Sequence, residues 1–191
     1  ENSQAESSAR VGGIDRTVVD ALLRHAQSTR FRRACLHVAS RALTAEERAA
    51  AATAFLQLDR DRCGSIEVRD LLRHCFAGSD RDQEEDPLEL QLSELVEALV
   101  GLGVGEIGYS TLISAMLAGR AMCRPTLMET FRRLDADGDG FISESDLQAV
   151  LGDTFEGVPV DQLFRKAGPR AGRRMSYTNF ARLFEEGVDR V

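Results

Sequence analysis

Between Leu134 and Asp146 the sequence reads LDADGDGFISESD, with five acidic residues and no basic one. Asp135, Asp137 and Asp139 alternate, Gly140 stands at the sixth place, apolar Ile142 at the eighth and Asp146 at the twelfth. Charges crowded this way repel one another and need a counter-ion. Calcium, a hard cation, takes six to eight oxygens, and this order supplies them. The three alternating aspartates fill the first, third and fifth places and glycine permits the sharp turn. Phe141 offers its backbone carbonyl at the seventh place. Ser143, at the ninth, suits a water-mediated contact and caps the helix that leaves the loop. Asp146 closes the shell. It is one methylene shorter than the usual Glu, so a looser shell is expected, with Mg2+ as a competitor for Ca2+.

The flanking METFRRL and LQAVL both read as helical, which makes the unit a helix–loop–helix, an EF-hand calcium loop. Aligning on the apolar eighth position finds three further copies. In DRDRCGSIEVRD the ligand places fall on Asp59, Asp61, Ser65 (through its carbonyl), Glu67 and Asp70, with Gly64 at the turn and Ile66 at the eighth place. Cys63 replaces the oxygen ligand at the fifth, and Arg60, Arg62 and Arg69 dilute the negative field. Calcium binding is expected here, a purely structural loop being the alternative. VGLGVGEIGYST keeps only Gly105 and Ile107 in register, with Val100, Leu102 and Val104 at ligand places and Thr111 at the twelfth. GPRAGRRMSYTN has Met175 at the eighth place and Asn179 at the twelfth, with Arg170, Arg173 and Arg174 and no acid. Both are expected to be empty but structural. Hands pair through their eighth residues, so Ile66 is expected beside Ile107, and Ile142 beside Met175.

The elements that must position these loops are helices. Residues 1–14 are polar and read as a flexible tail. Nothing breaks a helix from Asp15 to Leu43, where Val18, Leu22, Phe31, Cys35, Leu36, Ala39 and Leu43 form an apolar stripe beside the basic run RHAQSTRFRRA. One amphipathic junction helix over 15–43 is the expectation. Thr44 and Glu47 form a capping box that starts the next helix. Residues 44–121 make an N-terminal lobe with hands 1 and 2, and 122–191 a C-terminal lobe with hands 3 and 4. The acidic linker SDRDQEEDP falls within the first. Asp86–Pro87, Arg124–Pro125 and Pro159 mark helix starts. No alternation is long enough for a sheet of its own, so the fold class is all-α.

Composition excludes several functions. The chain has 191 residues, 43% of them hydrophobic, and a net charge of -7, which argues against nucleic acid. No apolar run approaches a membrane span. Cys35, Cys63, Cys75 and Cys123 show no disulfide or zinc spacing, even with His74 nearby, and a reducing, cytoplasmic setting follows. His25, His37 and His74 have no visible acid–base partner, and His37 reads as a surface residue. The first residue is Glu, and the chain is read as a piece of a longer one.

Taken together, residues 15 to 187 resemble the calmodulin-like regulatory region of calcium-dependent protein kinases. Four hands alone would indicate only the calmodulin superfamily. The more specific part is FRRACLHVASRALTAEERAAAATAFLQLDRD, which resembles that family's basic junction running into its first hand through Phe31, Arg32, Arg33, Ala34, Cys35, Leu36, Ala39, Leu43, Thr44 and Glu47. EIGYSTLISAML resembles the second hand, with Thr111 where Glu is usual. The resemblance implies a non-catalytic, calcium-sensing domain that reorganises around its junction helix. It would thereby relieve autoinhibition of a serine/threonine kinase domain in the same polypeptide. The partners implied are that kinase domain and the chain's own junction helix, with no nucleic acid and no visible membrane contact. The alternative is a freestanding EF-hand adaptor that binds a helix of another protein. If His25 to Leu43 packs on the chain's own lobes, the first reading gains.

Overall fold

The computed structural model describes residues 10–11, 14–59, 61–68, 97, 105–118, 122, 124–167 and 174–185. Their regular structure is helical apart from two- and three-residue antiparallel strand pairs. The segment expected to be one junction helix is two, α1 (Arg16–Gln27) and α2 (Arg30–Ser40). The break falls at Ser28 and Thr29. The Thr29 hydroxyl accepts from the Arg32 backbone N–H at 3.3 Å and so caps α2, while the Ser28 carbonyl accepts from Arg33 Nη1 at 2.6 Å. Ser and Thr offer the backbone an alternative to continuing a helix, and here they end one and start another.

The chain divides into two compact units, and the break is where it passes from one to the other. Unit 1 comprises residues 1–27 and 44–119, and unit 2 residues 28–43 and 120–191. The two halves of the junction segment therefore belong to different units.

In unit 1, β1 (Arg10–Val11) pairs with β2 (Ile14–Asp15), within the stretch expected as a tail; residues 1–9 lie outside the described residues. Helix α3 (Ala45–Leu58) starts at the expected capping box of Thr44 and Glu47. Strand β3 (Ser65–Glu67) pairs with β4 (Glu106–Gly108), with Ile66 opposite Ile107 as expected. Helix α4 (Tyr109–Ala118) packs on both α1 and α3. Leu22, Ile66, Ile107, Leu112 and Ala115 are buried in this unit. Phe55 meets Tyr109 edge-on at 5.5 Å, and the Tyr109 hydroxyl donates to the Arg48 carbonyl at 3.1 Å. The acidic linker and the Asp86–Pro87 start lie outside the described residues.

In unit 2, α5 (Arg124–Leu134) leads through the acidic loop to β5 (Phe141–Ser143) and α6 (Glu144–Leu151). A hairpin of β6 (Thr154–Phe155) and β7 (Val158–Pro159) turns at Glu156 and Gly157, both at positive φ. Pro159, expected to open a helix, closes this hairpin. Helix α7 (Val160–Ala167) begins one residue later, and β8 (Arg174–Ser176) and α8 (Tyr177–Glu185) complete the unit. Ile142 lies opposite Met175, again as expected.

Helix α2 is part of this unit's core. Phe31, Cys35 and Val38 are buried with Leu127, Phe131, Leu147, Phe164 and Phe180. Burial pushes the Cys35 thiol pKa up, so it packs as a neutral apolar group. His37, expected at the surface, is half-buried against Phe155, with ring centroids 6.0 Å apart.

Candidate metal centre

The loop from Asp135 to Asp146 is shaped by its own carboxylates. Asp135 accepts from the backbone N–H groups of Asp139 at 3.1 Å and Gly140 at 3.0 Å. Asp137 accepts from the Asp139 N–H at 3.1 Å, and Asp139 from the Phe141 N–H at 2.9 Å. Gly140 sits at φ 86, in the left-handed region that a side chain rarely takes, which is why the sixth place is glycine. The acidic side chains are thus gathered on the inside of the turn.

That arrangement fits a divalent cation. One oxygen from each of Asp135, Asp137 and Asp139 lies within 4.8 Å of the others. This is about twice a calcium–oxygen bond of ~2.4 Å, so a single ion can touch all three. The Phe141 side chain is exposed and its backbone lies in β5, at the loop's seventh place.

Asp146 differs from the others. It is only 3% exposed. Its Oδ2 accepts from the Ser143 N–H at 2.7 Å and the Ser143 hydroxyl at 2.5 Å, and its Oδ1 accepts from the Asp137 N–H at 3.3 Å. Burial pushes its pKa up, but those hydrogen bonds, led by the Ser143 hydroxyl, outweigh it and hold the carboxyl below the usual range. The same carboxylate completes the capping box of α6 with Ser143. Asp146 thus ties the far end of the loop to the helix that leaves it. When bound, the ion would supply positive charge at the centre of the loop. The chain's own contribution is to gather the carboxylates of Asp135, Asp137 and Asp139 in one place.

The first-hand loop is similar in plan. Asp59 is 4% exposed and accepts from the N–H groups of Cys63 and Gly64, both at 3.0 Å. Asp59, Asp61 and Cys63 bring ligand atoms within 4.8 Å of one another. The Cys63 thiol and N–H beside Asp61 hold that carboxyl below its ordinary range. The thiol also donates to the Ser65 carbonyl at 3.2 Å, the oxygen expected at the seventh place. Glu67, at the ninth, is exposed. Asp70, Arg60 and Arg69 lie outside the described residues. Arg62 adopts φ 56, where Gly138 takes φ 72 at the same place in the other loop. The left-handed turn is kept without the residue that takes it most easily.

Of the expected empty loops, residues 100–104 and 168–173 lie outside the described residues, as do His74, Cys75 and Cys123. What is described of them is their paired strands and the helix starts that hold Thr111 and Asn179. Arg174 belongs to the second of these strands. This arginine reaches from β8 into the acidic loop, its Nη1 2.7 Å from Asp139 Oδ2.

The arginines of GPRAGRRMSYTN are expected, from charge alone, to offset part of the acidic loop beside them, and Arg174 makes such a contact. One contact escaped the sequence reading: Arg33, 3% exposed, whose guanidinium meets Glu156 with Nε 3.0 Å from both oxygens and Nη2 2.5 Å from one. Its signal was an arginine on the apolar side of α2, in FRRAC.

The family of EF-hand domain pairs is matched by residues 124–185. Over 165 residues the chain is 28% identical to calcium-dependent protein kinase 13 of Arabidopsis thaliana, covering 84% of this chain and 30% of the relative. Calcium-dependent protein kinase 34 of the same plant is 23% identical over 177 residues, 91% of this chain and 33% of the relative. The smooth-muscle myosin regulatory light chain of Spisula sachalinensis is 28% identical over 130 residues, 66% of this chain and 76% of the relative. The chain spans about a third of the length of the kinases it matches.

Proposed function

We propose, for a chain that carries an EF-hand domain pair over residues 124–185 and resembles calcium-dependent protein kinases along most of its length, a calcium-sensing regulatory role in cis. Calcium binds the loop Asp135–Asp146 through Asp135, Asp137, Asp139, the Phe141 carbonyl and Asp146. It binds the loop from Asp59 more weakly, through Asp59, Asp61, the Ser65 carbonyl, Glu67 and Asp70. Mg2+ competes at both. Binding pulls on the twelfth residue and moves the exiting helix, and the movement relieves autoinhibition of a serine/threonine kinase domain in the same polypeptide.

The observation that carries this reading is the burial of α2 by its own chain. A basic amphipathic helix, with Phe31, Cys35 and Val38 buried, shares one core with both hands of unit 2. An adaptor would need that apolar face for another protein's helix. The setting we infer is cytoplasmic. Among the described residues no helix is long and apolar enough to cross a membrane.

Calcium calorimetry with and without magnesium tests the sensing part. Two sites at most are expected, the stronger lost in Asp135→Asn. Four filled sites, or none, would overturn it. For the regulatory part, the parent polypeptide's kinase rate is expected to rise when chelator is replaced by calcium. An equal rate in both sinks the cis reading while leaving calcium binding intact.

A further inference from the structure

Unit 2 contains a cavity of about 290 Å³ beside the start of α2. Phe31, Leu163 and Leu183 supply apolar lining, and Arg30, Arg32 and Lys166 supply charge. No carboxylate lines it among the described residues. Its cations stand differently. Arg32 is engaged, donating to the Leu183 carbonyl at 3.0 Å and lying 5.3 Å from the centre of the Phe184 ring. Neighbouring acids are taken by other arginines, Glu156 by Arg33 and Asp161 by Arg165. Arg30 and Lys166 have no acidic partner among the described residues.

The helix end adds to the imbalance. The first turn of α2 contains no acid, although the positive end of a helix favours one. Arg30, Arg32 and Arg33 all stand there instead, and Glu156 neutralises only Arg33. Half-exposed Arg30 and exposed Lys166 therefore flank an apolar hollow with net positive charge, on a chain whose total is -7.

We infer that this hollow is a docking site for an acidic peptide that inserts one large apolar side chain and places its flanking carboxylates on Arg30 and Lys166. The volume suits a single anchor rather than an extended ligand. Charge selects the class of partner. EF-hand lobes commonly take basic amphipathic helices, and α2 already is that helix here, so the surface it leaves has the opposite preference. A short peptide meets only the local positive field. An anionic bilayer would lie across a much wider face and meet the negative remainder of the chain. The inference goes beyond calcium sensing and does not require either loop to hold an ion.

Fluorescence anisotropy tests it on the whole chain. The probe is a labelled peptide with one phenylalanine flanked on both sides by glutamates. Saturable binding is expected, weakening as salt rises, and lost when serine replaces the phenylalanine. Arg30→Glu/Lys166→Glu is expected to weaken it at least about tenfold, and Arg30→Lys/Lys166→Arg to keep it. Arg30→Glu suits the first turn of α2, whereas Lys166→Glu puts an acid in the last turn of α7; the melting temperature checks that the variant folds. Equal binding of the serine peptide, or no loss in the charge-reversed variant, overturns the proposal. So does binding to phosphatidylserine vesicles that the peptide cannot displace. Sedimentation showing a dimer that the charge reversal dissociates would assign the hollow to a second copy, and would equally overturn it.

Discussion

Arg174, on strand β8, donates to Asp139, the fifth-place carboxylate of the acidic loop, across 2.7 Å. Residues Ser143 and Arg174 face each other in the strand pair, so the contact is built into the pairing of the hands. A guanidinium on a ligand oxygen competes with calcium for it. Replacing Arg174 with Gln should tighten calcium at low salt, with the gain shrinking as salt rises, because the pair is partly exposed and screened. Calorimetry at two ionic strengths measures both. An unchanged low-salt affinity would show that Asp139 exchanges partners at no cost.

Glu156 is expected to matter for stability rather than for ions. Arg33 is buried, and Glu156→Gln removes the charged half of its contact with Glu156. Glu156 is itself a third exposed, at 33%, so the loss should fall below the range for a fully buried pair, at about 2 kcal/mol. Urea denaturation followed by helical circular dichroism reads it. A smaller loss in Arg33→Met/Glu156→Gln than in Glu156→Gln alone would trace the loss to the buried Arg33 charge.

Phe31→Ala should cost about 3 kcal/mol. Phe31 is 4% exposed and lies against Phe164 with centroids 6.5 Å apart. Its loss should loosen α2 from unit 2 and alter the calcium response together with the melting temperature. Unchanged values of both would remove α2 from the sensing mechanism.

Asp146→Glu asks what the short side chain does. Glu reaches further toward an ion while keeping the capping-box chemistry with Ser143. The variant should bind calcium more tightly and discriminate more strongly against magnesium, measured by calcium titration at fixed magnesium. Equal affinity and equal competition would mean that the backbone has adapted to Asp.

A mild acid sensitivity is expected at His37. Burial first, then the Arg41 charge, lowers its pKa, and Glu156 partly opposes them. The unfolded chain therefore binds the proton more readily than the folded one, so stability rises with pH in this window. Falling pH should cost stability from about the ordinary histidine value of ~6.5 downward, until the folded-state pKa is passed. His37→Gln should flatten melting temperature against pH between about 7 and 5.

Much of this protein follows from local rules acting on neighbouring residues. Alternating aspartates and a sixth-place glycine shape a loop by themselves, since each carboxylate bonds to N–H groups a few positions on. The pairing of Ile66 with Ile107 and of Ile142 with Met175 was legible because register follows from the repeat. The capping box at Thr44 was legible for the same local reason.

What tertiary structure decided is where competing options are settled by distant partners. The apolar stripe from Val18 to Leu43 suits one helix or two equally well. It became two because Thr29 caps a new start while Arg33, held by Glu156 far along the chain, takes the Ser28 carbonyl. The reach of Arg174 to Asp139 and the burial of His37 against Phe155 likewise depend on residues remote in sequence. Periodicity gives a face its apolar character. Only packing determines which unit covers that face and which charges are brought to meet.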